Sequence, residues 1–119
     1  MKKERAVAIE KEIIRVISGA LLTEVKNPKI QGIVSVTRAK VADDLKYADV
    51  YFSILPPIKD GNEVNKEEVI KGLEEIKGFL RKKIASDIAL RYTPEMRVKI
   101  DDSMEYAAKI NKILNDLKG

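Results

Sequence analysis

Residues 32–55 read GIVSVTRAKVADDLKYADVYFSIL, a stretch that predicts two β-strands joined by a short turn. In its second half, apolar residues alternate with polar residues and tyrosines. Because successive side chains of a strand point to opposite faces, one face is predicted to join the core and the other to meet solvent. ADDLK (42–46) carries the aspartates that are typical of a turn. The predicted core-facing residues are Ala48, Val50, Phe52 and Ile54.

The residues on either side of this hairpin predict helices. Residues 4–26 have apolar side chains at the i, i+4, i+7 spacing of a helix with one buried face, and the proline in KNPK (26–29) ends it. PPIKDGNE (56–63) is predicted to be a loop, and Asn65 with Glu68 resembles a capping box for the next helix. The predicted core positions of the first helix are Ile9, Ile13, Val16, Ile17, Ala20 and Leu21.

The remaining elements complete a small α+β fold. Helical spacing continues to Ile88, TPEMRVKID (93–101) predicts a third strand, and Asp102 with Glu105 predicts the start of a final helix. The order is α-β-β-α(kink)α-β plus a C-terminal helix. It predicts a single KH-like domain over residues 1–119, with a three-stranded sheet that has its helices on one face.

The composition excludes several classes of function. The 119 residues include no Cys and no His, which rules out disulfides, thiolate or imidazole zinc sites, cysteine nucleophiles and Ser-His-Asp triads. No apolar run approaches the roughly 20 residues that span a bilayer, and the N-terminus lacks the apolar segment of a secretory signal. We therefore predict a soluble, cytoplasmic protein that is not an enzyme and holds no cofactor or metal ion. No coiled-coil seam is evident, which favours a monomer.

Positive charge is concentrated in one part of the chain. The net charge is +4, from 23 basic and 19 acidic residues. Residues 77–99 contain seven basic and two acidic residues, so this segment carries +5 and the rest of the chain carries −1. A regional excess of this kind indicates an anionic partner.

The stretch EEIKGFLRKK (74–83) contains a predicted interruption of the second helix. At about 100° per residue, Lys77 of a straight helix would lie in the apolar stripe. An unpaired ammonium is costly in a core, so we predict a kink or restart at Gly78. The restarted helix would present backbone N–H groups to phosphate. A plain kink with solvated surface charge is the alternative. The cations predicted for the first turn after the break are Arg81, Lys82 and Lys83.

The whole chain resembles the bacterial ribosome-binding factor A family. The resemblance runs from the first helix to the last and rests on the order and spacing of six segments. It implies a type II KH-like fold, an RNA-binding fold with the element order predicted here. The six segments are NPKI (27–30), VSVTRAKV (34–41), DDLKYADVYFSIL (43–55), GFLR (78–81), LRYTPEMRV (90–98) and DDS (101–103).

The resemblance also implies a site. In ordinary KH domains a Gly-x-x-Gly loop between two helices clamps the nucleic-acid backbone. In this family a helix-kink-helix built on Ala-x-Gly replaces that loop, and residues 76–78 match it here, with Ile in place of the usual Ala. Asn27 stands where Asp is common in the family. The resemblance and the charge pattern together predict seven RNA-binding residues, which are Ile76, Lys77, Gly78, Arg81, Lys82, Lys83 and Arg91.

The function that the resemblance implies is assembly of the small ribosomal subunit, without catalysis. Such proteins bind the free or immature small (30S) subunit and its 16S rRNA. They assist late maturation, including processing of the rRNA 5′ end, and leave before translation. In the family, growth in the cold depends on this activity, and an assembly GTPase takes part in release.

Two other functions stay open from the residues themselves. A generic KH module that binds single-stranded RNA of a non-ribosomal target would need the same basic segment. A metal-dependent nuclease would use Asp43 and Asp44, although a hairpin turn also explains this pair. Tyr47 and Tyr51 lie on the solvent face of a strand, where they would either stack on bases or pack across strands. Arg5 belongs to a basic N-terminus that is interpreted as frayed and solvated, although it would also suit phosphate.

Overall fold

A three-stranded sheet with helices packed against it makes up most of the structure. The computed structural model describes residues 2–55, 58–59, 62–63 and 66–118. This architecture confirms the predicted α+β fold and the predicted order of its main elements. The helices are α1 (Lys2–Thr23), α2 (Lys66–Glu75), α3 (Lys77–Asp87) and α4 (Ser103–Lys118). The strands are β1 (Ile33–Val41), β2 (Tyr47–Leu55), β3 (Ile58–Lys59), β4 (Asn62–Glu63) and β5 (Glu95–Ile100).

The main sheet has the strand order β1-β2-β5. β2 pairs antiparallel with β1 and parallel with β5, so it is the central strand. An antiparallel pair needs only a tight turn, whereas a parallel pair needs a long crossover, which α2 and α3 provide here. In the β1–β2 turn, Leu45 has a positive φ of 60° and its N–H donates to the carbonyl of Ala42 over 2.8 Å.

The core forms where the sequence pattern predicts it. The four alternating residues of β2 (Ala48, Val50, Phe52 and Ile54) are each at most 2% exposed. Five of the six predicted positions of α1 are buried, and Leu21 is half-buried against the same cluster. From α2 and α3 the core receives Val69, Leu73, Leu80 and Ile84.

One local prediction differs from the structure, and another lies outside the described residues. Within the predicted loop 56–63, β3 and β4 pair as a two-stranded ribbon. Asn65 lies outside the described residues, and α2 begins at Lys66. The apolar stripe in the described part of α4, residues 110–117, lies outside the core. Among the described residues of that stripe, Ile110, Ile113, Leu114 and Leu117 are all exposed. None of the helices in the described ranges is long and apolar enough to cross a membrane.

The turn from β5 into α4 is held by hydrogen bonds to Asp101. The Asp101 carboxylate accepts hydrogen bonds from the Ser103 N–H at 2.9 Å and the Thr37 hydroxyl at 2.6 Å. Thr37 lies at an irregularity in β1, where the register with β2 shifts between Val36 and Arg38. Hydrogen bonds from Ser103 and Thr37 lower the pKa of Asp101 from its ordinary value to about 2.

We expect the ionised Asp101 carboxylate to stabilise the fold in a defined pH range. Because its folded pKa is lowered, the stabilisation is complete above the unfolded value of about 3.9 and is lost as pH falls to about 2. Urea midpoints of the parent and of Asp101→Asn should therefore differ at pH 7 and converge between about pH 4 and pH 2. A constant difference across that range would contradict a role for the charge.

Candidate nucleic-acid interface

The predicted interruption of the long helix is confirmed, but it lies two residues earlier than predicted. α2 ends at Glu75, α3 begins at Lys77, and Ile76 between them has φ −91° and ψ 2°. The carbonyl of Ile76 accepts the N–H of Leu80 at 2.9 Å, which starts α3, and no side chain caps this helix. The first N–H groups of α3 have no acceptor within their own helix and point toward its N-terminal end.

Contacts with the segment after α1 explain why α2 ends where it does. The Glu75 carboxylate accepts hydrogen bonds from the side chains of Asn27 and Lys29, and these hydrogen bonds lower its pKa. An amide at position 27 donates to Glu75, which a carboxylate there would not do. Gly72 lies so close to the same segment that an added Cβ would be 2.7 Å from Cγ1 of Ile30. The end of α2 is therefore held in place, and Ile76 packs against the core.

Gly78 is not required by the kink, contrary to the prediction. It lies inside α3 and is exposed, and a Cβ added there would meet no atom within 4 Å. Because the break lies earlier than predicted, the cations lie later in α3 than predicted. The first turn of α3 carries Lys77, and the predicted trio of Arg81, Lys82 and Lys83 lies on the second turn.

Two of the predicted cations form ion pairs. Lys77 avoids the core by pairing with Glu74 at 2.9 Å, three residues earlier on the exposed side of the helix. Lys83 contacts Glu24 at 3.1 Å, which joins α3 to the end of α1 and raises the pKa of Lys83 through that hydrogen bond. The exposed Lys77–Glu74 pair contributes little to stability, so an anionic ligand can compete for Lys77 at small cost, whereas the Lys83 side chain is only 28% exposed and joins two elements.

The other three cations carry no acidic partner among the described residues. The Arg81 guanidinium donates to the carbonyl of Thr93 at 3.0 Å, and the Arg91 guanidinium lies 5.6 Å from the ring centre of Tyr92. Lys82 is exposed on the outer side of α3. Charge is thus available along α3 and in the loop that follows it.

The structure does not bring all seven predicted residues onto one surface. Ile76 lines a shallow cavity with residues 24–27 and Phe79, on the side where Lys83 pairs with α1. Arg81 and Arg91 line a larger cleft that opens toward the β1–β2 turn.

The solvent face of the sheet combines tyrosines with arginines. The Arg97 guanidinium lies 4.7 Å from the ring centre of Tyr47 and pairs with Asp49 at 2.6 Å, and Arg38 lies 5.6 Å from the ring of Tyr51. These contacts agree with the packing interpretation of both tyrosines. They occupy one side of each ring and leave the stacking alternative without specific support.

The turn interpretation of Asp43 and Asp44 also agrees with the structure. The Asp44 carboxylate accepts the backbone N–H of Lys46 at 3.0 Å. Within the described ranges, no group of three or more acidic side chains comes together as a metal site would.

Sequence reasoning overlooked two residues of the larger cleft and misplaced a third. Tyr92 is 74% exposed in the loop between α3 and β5, and Lys46 lies in the β1–β2 turn. Arg5 belongs to α1 and lines the same cleft, rather than a frayed end. The tetrapeptide RYTP (91–94), an aromatic residue between an arginine and a loop proline, was the available signal for Tyr92.

Comparison with known proteins gives consistent results over nearly the full chain. A family model described as Ribosome-binding factor A matches residues 5–114. The chain is 62% identical over 119 residues to Ribosome-binding factor A of Fusobacterium nucleatum subsp. nucleatum, covering 99% of each chain. It is 40% identical over 118 residues to Ribosome-binding factor A of Clostridium tetani, covering 99% of this chain and 93% of that one.

A solved structure shares the fold. The crystal structure of ribosome-binding factor A from Thermus thermophilus superimposes with a TM-score of 0.67 at 14% identity. The superposition covers 80% of this chain and 93% of that one.

Proposed function

The chain belongs to the ribosome-binding factor A family, and we propose that it is an assembly factor for the small ribosomal subunit. In this proposal it acts in the cytoplasm as a monomer. It binds the free or immature 30S subunit through 16S rRNA and assists late maturation, including processing of the rRNA 5′ end. It does not catalyse that processing itself, and an assembly GTPase promotes its release.

The observation that carries the proposal is the break between α2 and α3 in a chain that matches the family from end to end. The N-terminus of α3 lacks a side-chain cap, and its dipole favours an anion. Lys77 and Lys82 lie on its first two turns, and Gly78 leaves the backbone between them uncovered. A phosphate backbone fits such a surface because it supplies both the capping acceptors and the negative charge.

Cosedimentation tests this function. Purified protein would be pelleted with isolated small subunits, large subunits and whole ribosomes at moderate salt. We expect selective pelleting with small subunits, and an affinity that falls steeply as salt rises because counterions are released from rRNA. Equal or absent binding to all three particles would contradict the proposal. Equally tight binding of short single-stranded RNA would favour a generic RNA-binding module.

Gly78→Ala should separate stability from binding. An alanine in this open helical position is expected to stabilise the fold by about 1 kcal/mol. It should nevertheless weaken binding, because the added methyl group covers backbone that the phosphate approaches. Gly19→Ala in α1 is a matched control, since a Cβ there also meets nothing within 4 Å. Urea unfolding and cosedimentation would measure the two effects. Unchanged binding by Gly78→Ala would show that Gly78 is not part of the interface.

A further inference from the structure

The larger cleft lies between three parts of the chain that are distant in sequence. The N-terminal half of α1, the β1–β2 turn and the loop between α3 and β5 form its walls, and it encloses about 630 Å³. This volume lies in the range of sites that bind small molecules or single chemical groups. The cleft is separate from the shallow cavity beside Ile76, which is lined by a different set of residues.

The walls of the cleft are held together by hydrogen bonds. The Glu95 N–H donates to the carbonyl of Lys46 at 2.8 Å, which ties the start of β5 to the β1–β2 turn. Arg81 ties the same loop to α3 through its hydrogen bond to Thr93. A site whose walls are already fixed loses little conformational entropy when a ligand enters.

The lining combines an apolar floor with a cationic rim. Ile9, Val41 and Pro94 are buried and contribute the floor, together with half-buried Leu45 and Leu90. Two acidic residues, Asp44 and Glu95, also line it, so the lining carries a net charge of +2. None of its four cations has an ion-pair partner within the described part of the chain, and Arg81 donates only to the carbonyl of Thr93. The four cations of the lining are Arg5, Lys46, Arg81 and Arg91.

The exposed ring of Tyr92 is a feature of this cleft that packing within the fold does not explain. Arg91 lies over one face of this ring, as arginines lie over Tyr47 and Tyr51, but the ring is 74% exposed at the rim, against 40% for Tyr47, so its other face is open to a base. An exposed aromatic ring beside guanidinium groups is the arrangement that single-stranded nucleic acids use, because every base has a face that stacks and every linkage carries a charge.

We propose that the cleft takes one unpaired nucleotide of an RNA strand. Its base stacks on Tyr92 at the entrance to the apolar floor, and its flanking phosphates contact Arg5 and Arg91. Duplex RNA is excluded, because its bases are paired and stacked within the helix. This inference rests on the proposed function for its choice of RNA as the ligand. It adds a second contact, distinct from the break between α2 and α3.

An RNA of eight nucleotides with a fluorescent 2-aminopurine at its centre tests the proposal. Binding to the parent should quench the fluorescence as the base stacks. Tyr92→Leu should weaken the affinity about tenfold and abolish the quenching, while Tyr92→Phe, which keeps the ring, should retain both. Because the side chain is exposed, neither change should unfold the protein. Lys11→Ala alters an exposed cation of α1 outside the cleft and should leave both readouts unchanged.

The outcomes separate this proposal from the proposed function. If Tyr92→Leu binds and quenches the RNA as the parent does, the nucleotide site is wrong. Selective pelleting of the parent with small subunits would still support the proposed function in that case. If an acidic peptide displaces the RNA and binds Tyr92→Leu as tightly as the parent, the cleft is a protein site and the proposal is overturned. If duplex RNA of the same sequence binds as tightly as the single strand, the claim of an unpaired base fails.

Discussion

The double substitution Lys77→Glu/Lys82→Glu is expected to lower the affinity for small ribosomal subunits at least about 50-fold. In about 0.1 M salt, each phosphate contact contributes roughly eightfold through counterion release, so two lost contacts account for about 60-fold. The introduced carboxylates would also repel phosphate. Both residues are on or near the exposed side of α3, and neither takes part in the core.

The choice of these two residues follows from their contacts. Arg81 and Lys83 are left unchanged because Arg81 holds the loop through Thr93 and Lys83 joins α3 to Glu24. Reversing the charge of either residue would break these contacts, so a loss of binding would be mixed with a loss of structure. Lys77 loses only an exposed pair with Glu74, which is worth little in water.

The measurement is cosedimentation with small subunits across a series of salt concentrations. The slope of log affinity against log salt should become shallower by about two for the variant. Lys11→Glu/Lys40→Glu is the matched control, since it reverses two exposed lysines away from the break and makes the same change in net charge. Equal losses in the two variants would show that net charge, rather than this surface, governs binding.

The fold was predictable because its elements have strong periodic patterns. The alternation in β2 and the helical spacing in α1 identify core residues without any knowledge of the partner elements, since each pattern has one buried face. The parallel pairing of β2 with β5 and the exposure of the stripe on α4 were not predicted. Both depend on which elements meet in space, and a periodic pattern identifies a buried face but not what covers it.

The site was predictable only in part, because its details depend on contacts distant in sequence. Lys77 in the apolar stripe correctly indicated a break. Its position at Ile76 depends on the clamp of Glu75 by Asn27 and Lys29, nearly fifty residues away along the chain. The cleft beside Tyr92 is formed by three separate segments of the chain. The sequence shows where its cations lie along the chain, but not that they surround one cavity.

Phe52→Ala is expected to have the largest effect on stability, a loss of about 3–5 kcal/mol in the free energy of unfolding. Phe52 is fully buried on the central strand and is the largest of the fully buried side chains. Truncation removes its transfer free energy and leaves a cavity in a core that contains no Trp to rearrange into the space. For a domain of this size, the thermal midpoint should fall by about 12–20 °C.

The chain's other phenylalanine provides the matched control. Phe79 is 41% exposed beside the break, so Phe79→Ala removes the same atoms from a site that solvent already reaches. Phe52→Leu, which keeps most of the buried volume, should fall between the two alanine variants. Comparable losses for Phe52→Ala and Phe79→Ala in thermal and urea unfolding would contradict a core centred on β2.

The same pair of variants also separates folding from binding. Phe52 is buried in the core and does not lie at the proposed interface. Any loss of subunit binding by Phe52→Ala should therefore come from unfolding, and it should vanish at temperatures where the variant is still folded. Phe79 lies next to Ile76 on the surface, so an effect of Phe79→Ala on binding would persist at every temperature and mark the break itself as the contact. A temperature-independent binding defect in Phe52→Ala would instead require that the core sets the geometry of α3, because α3 contributes Leu80 and Ile84 to that core.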